Sequence, residues 1–175
     1  MGLSTPVVSG IMLIAFTVCT AMLLQTMIMQ AQTLTQLIGW YATGEADRLE
    51  VALELNIASI DVSSGMVNLT LRNTGSKTIF LRNQGSIRND VIVAYNASAA
   101  AWVSQLVDYQ VLEVRIVNTD VTFDPLVHPY LNPGEEALIQ IQVNSQVDGI
   151  ETGSILVVVF VSHYGVTAKT EGVAL

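Results

Sequence analysis

Two hydrophobic periodicities divide the chain. From Val7 to Met29 the sequence VVSGIMLIAFTVCTAMLLQTMIM is apolar on every side, broken only by Ser, Thr, one Gly and one Gln. At ~1.5 Å per residue, a helix of this length crosses a hydrocarbon core of ~30 Å. Pro6 suits a first helical turn, and Ser4 or Thr5 is placed to cap it. Gln30 to Leu37 keeps helix-compatible polar residues, with Leu34, Leu37 and Ile38 to one side. Gly39-Trp40-Tyr41 and Gly44 then interrupt the pattern. The pattern predicts one helix from about Pro6 to about Ile38, followed by a short linker.

From Glu45 the period becomes two. Leu49, Val51, Leu53, Leu55 and Ile57 alternate with Glu50, Glu54 and Asn56, the pattern of a half-buried strand. Val67, Leu69 and Leu71 alternate with Asn68, Thr70 and Arg72 between the turns Ser63-Ser64-Gly65 and Asn73-Thr74-Gly75. Further strands are expected at Thr78–Leu81, Asp90–Tyr95, Tyr109–Val117, Ala137–Val143, Ile155–Ser162 and Val166–Thr170. Asn132-Pro133-Gly134 and Tyr164-Gly165 supply turns between them. The continuous apolar run Ile155–Val161 reads as a central strand buried on both faces. Roughly eight strands with no second helix imply a mainly β protein: one long N-terminal hydrophobic α-helix joined to an antiparallel, immunoglobulin-like β-sandwich. The Cys…Trp…Cys signature of antibody domains is absent.

Charge sharpens this division. The 175 residues carry seven Lys+Arg and fifteen Asp+Glu, a net charge of −8, yet residues 1–44 contain none of them. The averages of 13% charged residues and mean hydropathy +0.51 therefore blend two unlike segments. The chain is expected to divide at residues 1–44 (hydrophobic helix and linker) and 45–175 (extracellular sandwich). So apolar a chain collapses rather than staying disordered. The scarcity of clustered Lys and Arg excludes nucleic acid as an electrostatic partner. A single cysteine, Cys19, excludes an internal disulfide and a zinc finger.

The uncharged arm lacks the basic start and short apolar core of a cleaved secretory signal. A myristoylation signal requires Ser or Thr where Pro6 stands. Such a uniform run also makes a poor amphipathic core helix. A membrane or assembly helix remains, built from Val7, Ile11, Leu13, Ile14, Ala15, Phe16, Val18, Cys19, Ala21, Met22, Leu23, Leu24, Met27 and Ile28. It lies in lipid or among neighbouring hydrophobic helices. Ala15/Cys19 and Thr17/Ala21 form small-xxx-small pairs that permit close helix approach, although such residues also simply face lipid. Cys19 reads as a small packing residue, since an apolar setting disfavours the thiolate.

Catalytic chemistry is sparse, and no cofactor or metal is implied. His128 lies in the Pro-braced loop Asp124-Pro125-Leu126-Val127-His128-Pro129, and His163 reads as a surface turn residue. Asp120 and Asp124 lack the alternating ligands of calcium loops. Glu135-Glu136 reads as a solvated strand entry. No Gly-rich phosphate loop or G-x-S-x-G occurs. Two N-x-[ST] tripeptides, at Asn68 on the polar side of its strand and at Asn96 in a loop after Tyr95, are candidate N-glycosylation sites outside the cytoplasm.

An uncharged N-terminal helix feeding a small sandwich resembles the type IV pilin-like proteins of archaea. Met1-Gly2-Leu3-Ser4-Thr5, Ile11–Phe16, the unit Val67–Ile79 around Asn73-Thr74-Gly75, and Leu131–Glu135 are similar to the archaellum accessory proteins FlaF and FlaG. The resemblance implies a structural component of the archaellum in motility. Its sandwich would lie between membrane and surface layer, bind surface-layer protein and anchor the motor as part of a stator. Other archaellum or pilus subunits would be partners, with homo-oligomers expected. Archaellins and pilins are processed after a short basic leader, and Met1-Gly2 lacks the basic residue; that favours an uncleaved accessory protein over a filament subunit. Three functions compete: a membrane-held archaellum anchor, a filament subunit assembling through its N-terminal helix, and a membrane-tethered hydrolase or sensor. The sequons and the resemblance together place the N-terminus inside.

Overall fold

Helix α1 spans Ser4–Leu49, in a computed structural model that describes residues 4–82, 88–98, 101–143 and 150–174. Pro6 falls inside its first turn; residues 1–3 lie outside the described part. The helix does not stop near Ile38, and no linker follows Gly39. A glycine costs about 1 kcal/mol in a helix but keeps its N–H and C=O, so Gly39 and Gly44 leave the backbone ladder intact. The Thr43 hydroxyl donates to the Gly39 carbonyl across this stretch at 2.9 Å. Leu49, expected on a strand, is the last helical residue, and Arg48 in the last turn complements the negative end of the helix.

The chain divides into two units, Met1–Glu45 and Ala46–Leu175. Among the described residues the second unit carries eleven strands: β1 Leu53–Asp61, β2 Met66–Asn73, β3 Ile79–Phe80, β4 Asp90–Ser98, β5 Ala101–Val107, β6 Tyr109–Ile116, β7 Thr122–Phe123, β8 Tyr130–Leu131, β9 Glu135–Gln142, β10 Ile155–Val161 and β11 Thr167–Val173. One sheet has the order β1-β2-β9-β6-β7 and a second β11-β10-β4-β5, while β3 pairs with β8. Every pairing among the described residues is antiparallel. The sheets stack as a sandwich around one apolar core. Val67, Leu69, Leu71, Ile139 and Ile141 come from the five-stranded sheet; Val91, Val93, Tyr95, Leu156, Val158 and Phe160 come from the four-stranded one. Edge-to-face packing of Tyr109 on Phe160, 5.9 Å between centroids, joins the two.

β2 and β9 alternate as their sequences require, with every second side chain buried. β10 is central in its sheet, but it is not buried on both faces. Leu156, Val158 and Phe160 point into the core, whereas Val157, Val159 and Val161 form a half-buried outer row. β5, β7 and β8 are additions to the expected strands. Asn96 lies within β4, opposite Trp102 of β5, rather than in a loop; a register shift follows it before Ser98.

Candidate assembly surface

On α1 the apolar side chains from Val7 to Ile28 are exposed, Phe16 by 75% and the least accessible large one, Val18, by 48%. Ala15, Cys19 and Ala21 are exposed beside them. The stretch Val7–Leu49 is long and apolar enough to cross a membrane. Its threonines do not break that character. The hydroxyls of Thr17, Thr20 and Thr26 donate to the carbonyls of Leu13, Phe16 and Met22, four residues back, at 2.7–2.8 Å. Thr33 and Thr35 do the same to Met29 and Ala31. Each polar hydrogen is satisfied inside its own helix, so this surface enters an apolar medium without leaving those donors unpaired.

The second unit begins with the helix's last residues and grips them. Lys77 Nζ lies 2.9 Å from Asp47 Oδ1 and 3.6 Å from Glu50 Oε2. Hydrogen bonding to Asp47 and its charge raise the lysine pKa. Arg48 Nε donates to the Tyr164 carbonyl at 2.9 Å. The Asn73-Thr74-Gly75 turn forms the other jaw. Thr74 and Gly75 N–H groups both donate to the Ala52 carbonyl, and Ser76 N–H donates to the Glu50 carbonyl at 2.8 Å. Asn73 is wholly buried; its Nδ2 donates to the Lys77 and Leu131 carbonyls, and its Oδ1 accepts from Gly75 N–H. A Cβ at Gly75 would lie 2.4 Å from Ala52 N, so only glycine fits against this backbone. The Asn-Thr-Gly unit is thus a clamp on the strand entry at residues 50–52.

Glu135, expected with Glu136 as a solvated strand entry, instead belongs to a polar cluster behind the clamp. Glu135 is 7% exposed, and Glu136 is half-buried. Glu135 Oε2 lies 3.0 Å from His128 Nε2 and accepts Asn132 N–H at 2.7 Å. Burial alone would raise the Glu135 pKa; the bonds from His128 and Asn132 outweigh it and hold the carboxyl below its ordinary range. The His128 ring stacks on Phe123 at 4.5 Å and leans on Tyr130. Asp124 turns inward on its own loop, its Oδ1 accepting Leu126 N–H at 2.9 Å. Among the described residues no group of three His, Cys, Asp or Glu could hold a metal ion.

His163 does occupy a turn, but its side chain is half-buried beside Phe80 and Tyr164 rather than free on the surface. Its backbone N–H donates to Asn89 Oδ1 at 2.8 Å, and burial lowers its pKa. Asn68 Nδ2 donates to Ser59 Oγ at 2.9 Å, and Asn68 Oδ1 accepts Gln140 Nε2 at 3.1 Å, an amide ladder across the outer face of three strands. These clusters tie distant segments of one chain together; their geometry serves stability.

The family model for archaeal-type flagellin matches residues 5–172, helix and sandwich together. The chain belongs to the archaeal-type flagellin family. Members of this family are structural proteins, not enzymes, and the chain is a component of the archaellum, the motility machinery at the archaeal cell surface. No curated protein sequence matches it. Among solved structures it is similar to the chain of the archaeal flagellum of Methanospirillum hungatei strain JF1: 14% identity, TM-score 0.60, over 96% of this chain and 92% of that one. That likeness shows the fold. The archaellum periplasmic stator protein FlaG of Sulfolobus acidocaldarius matches with 17% identity and TM-score 0.45, over 70% of this chain and 99% of that one. The FlaF–FlaG stator complex of the same organism matches with 17% identity and TM-score 0.42, over 69% and 87%.

Proposed function

We propose that this archaellum component is a stationary, membrane-held protein whose sandwich lies outside the membrane and grips surface-layer protein. The distribution of polar groups along α1 carries this reading. Val7–Met29 spans ~35 Å at 1.5 Å per residue, close to the ~30 Å hydrocarbon core. Gln30, Gln32 and Gln36 begin where that length ends, and the first charges follow at Glu45 and Asp47. The first half of the helix is the anchor; residues 30–44 are an uncharged stretch of mixed polar and apolar side chains that follows it. Asn68 and Asn96 are the proposed glycan acceptors on the outer side, tested by intact-mass measurement of native protein for an added glycan.

A filament-subunit reading is favoured by one observation. Leu34, Leu37, Ile38, Trp40 and Tyr41 are exposed beyond the bilayer-length run, as helix packing in a filament core would require. Affinity capture of the tagged full chain from detergent-solubilised envelopes tests the anchor. Surface-layer protein is expected in the eluate; an eluate holding archaellum subunits without it contradicts surface-layer binding.

A further inference from the structure

The four-stranded sheet presents an outer face unlike the rest of this acidic protein. Two stretches of sequence, residues 91–107 and 152–168, contain no Asp, Glu, Lys or Arg. The fold lays them side by side, because β10 pairs with β4 and β4 with β5. Val159, Ile92 and Leu106 stand opposite one another across the three strands, with Val157, Ala94 and Ser104 in the next row. Trp102 and Leu106 on β5 are 58% and 57% exposed. An outward sheet face normally carries polar side chains; where these two stretches run across β10, β4 and β5 this one is uncharged and largely apolar, with Asn96 and Ser104 its polar members.

β5 is also an open edge. No strand pairs with its outer side among the described residues. Ala101–Val107 holds no charge and no proline, the usual guards against edge-to-edge pairing. The edge strands β11 and β1 are guarded. β11 carries the exposed ion pair Lys169–Glu171, and β1 carries Glu54 and a register shift between Ile57 and Ser59. Gly172 of β11 lies so close to β1 that a Cβ there would meet Ile57 Cδ1 at 2.8 Å. One further group points the same way: Gln105 Nε2 is buried without a hydrogen-bond partner.

We propose that β5 is a self-pairing edge, joining two copies of the chain antiparallel about a two-fold axis at Ser104. The occupant is a second copy on grounds of charge and symmetry. A chain of net charge −8 repels its own kind except where charge is absent, and a basic partner would be drawn to the acidic surfaces instead. An edge strand is its own complement in an antiparallel two-fold pairing. With Ser104 at the axis, Trp102 packs against the partner's Leu106 on the outer face. The partner's Gln105 becomes the diagonal neighbour of Gln105, within reach of its unpartnered Nε2. The two sheets become one of eight strands, and both edges close. The pairing rests on the membrane-held reading of α1, because a closed two-fold contact does not propagate along a filament.

Disulfide trapping in detergent micelles tests it on the full chain. Cys19→Ser removes the native thiol, and Ser104→Cys then places two thiols at the axis. Paired residues there have Cα atoms ~4.5–5.5 Å apart, within disulfide range. Oxidation is expected to convert most of the chain to a reducible dimer, while Thr167→Cys on exposed β11 in the same background stays monomeric. Ser104→Lys, an exposed and fold-neutral change, is expected to weaken dimerisation ~tenfold by placing like charges face to face. Absence of the Ser104→Cys dimer, equal trapping at both positions, or unchanged dimerisation of Ser104→Lys overturns the proposal.

Discussion

The helix and the sandwich satisfy their polar groups by opposite means. On α1, threonine hydroxyls turn back four residues to their own helix, as in Thr20 to Phe16 at 2.7 Å, and need nothing beyond it. In the sandwich the buried polar groups reach far along the chain. Asn73 bonds to Leu131, Asn89 to both Phe80 and Tyr109, and Thr78 to Asn132. A segment that is locally complete moves into an apolar medium unchanged, because nothing it requires is left behind. A segment completed in part by distant residues holds one tertiary arrangement and is weakened when one of those bonds is cut. The division of labour in this archaellum component follows: one part is suited to insertion, the other to presenting a fixed surface.

The strongest way to break the comparison is a charge at the middle of the helix. Ile14→Arg is expected to cost about 3 kcal/mol of membrane insertion and to move the protein from the membrane pellet to the soluble or degraded fraction. The isolated fold of the sandwich, followed by its thermal transition, stays unchanged. Next is the clamp. Asn73→Ala removes the donor to two carbonyls and the acceptor for Gly75 N–H, and is expected to destabilise the sandwich by about 2–3 kcal/mol in denaturant unfolding. Membrane retention does not change.

A smaller effect comes from pH. The Glu135 carboxyl has a folded pKa below its ordinary value of 4.5, so its contribution is present above that value and lost as pH falls through the folded one. Acid unfolding is expected to set in below pH 4.5, with Glu135→Gln flattening the onset. Asp61, held down to about 2 by hydrogen bonds from Ser63 and Ser64, responds lower, as pH falls from 3.8 toward 2. The smallest effect is predicted for Thr20→Val, which exchanges a locally satisfied hydroxyl for a methyl and changes membrane retention by less than ~0.5 kcal/mol. A large effect there would show that the hydroxyl bonds to a neighbour, contrary to the local account.

How much was legible beforehand follows the same contrast. The body of the helix was, because a charge-free apolar run needs no tertiary information. Its end was not: two glycines cost too little to stop it, and the stop at Leu49 coincides with the Lys77–Asp47 pair and the Arg48–Tyr164 bond, which form only in the folded chain. β2 and β9 were legible from alternation. β5 was not, because Trp102 and Leu106 are apolar on its outward side while Val103 and Val107 are apolar on its inward side, which erases the period. The Asn73-Thr74-Gly75 turn was visible as a motif, but its grip on Ala52 was not. Glu135 looked solvated by composition. The available signal was the pair of prolines flanking His128, which bend the loop so that the histidine meets the strand entry.

The stationary role is tested most directly by shearing filaments from cells and quantifying this chain in the filament and envelope fractions. The account predicts that it stays in the envelope and is at most a trace component of the filaments. Recovery as a major repeating subunit of the sheared filaments would contradict it.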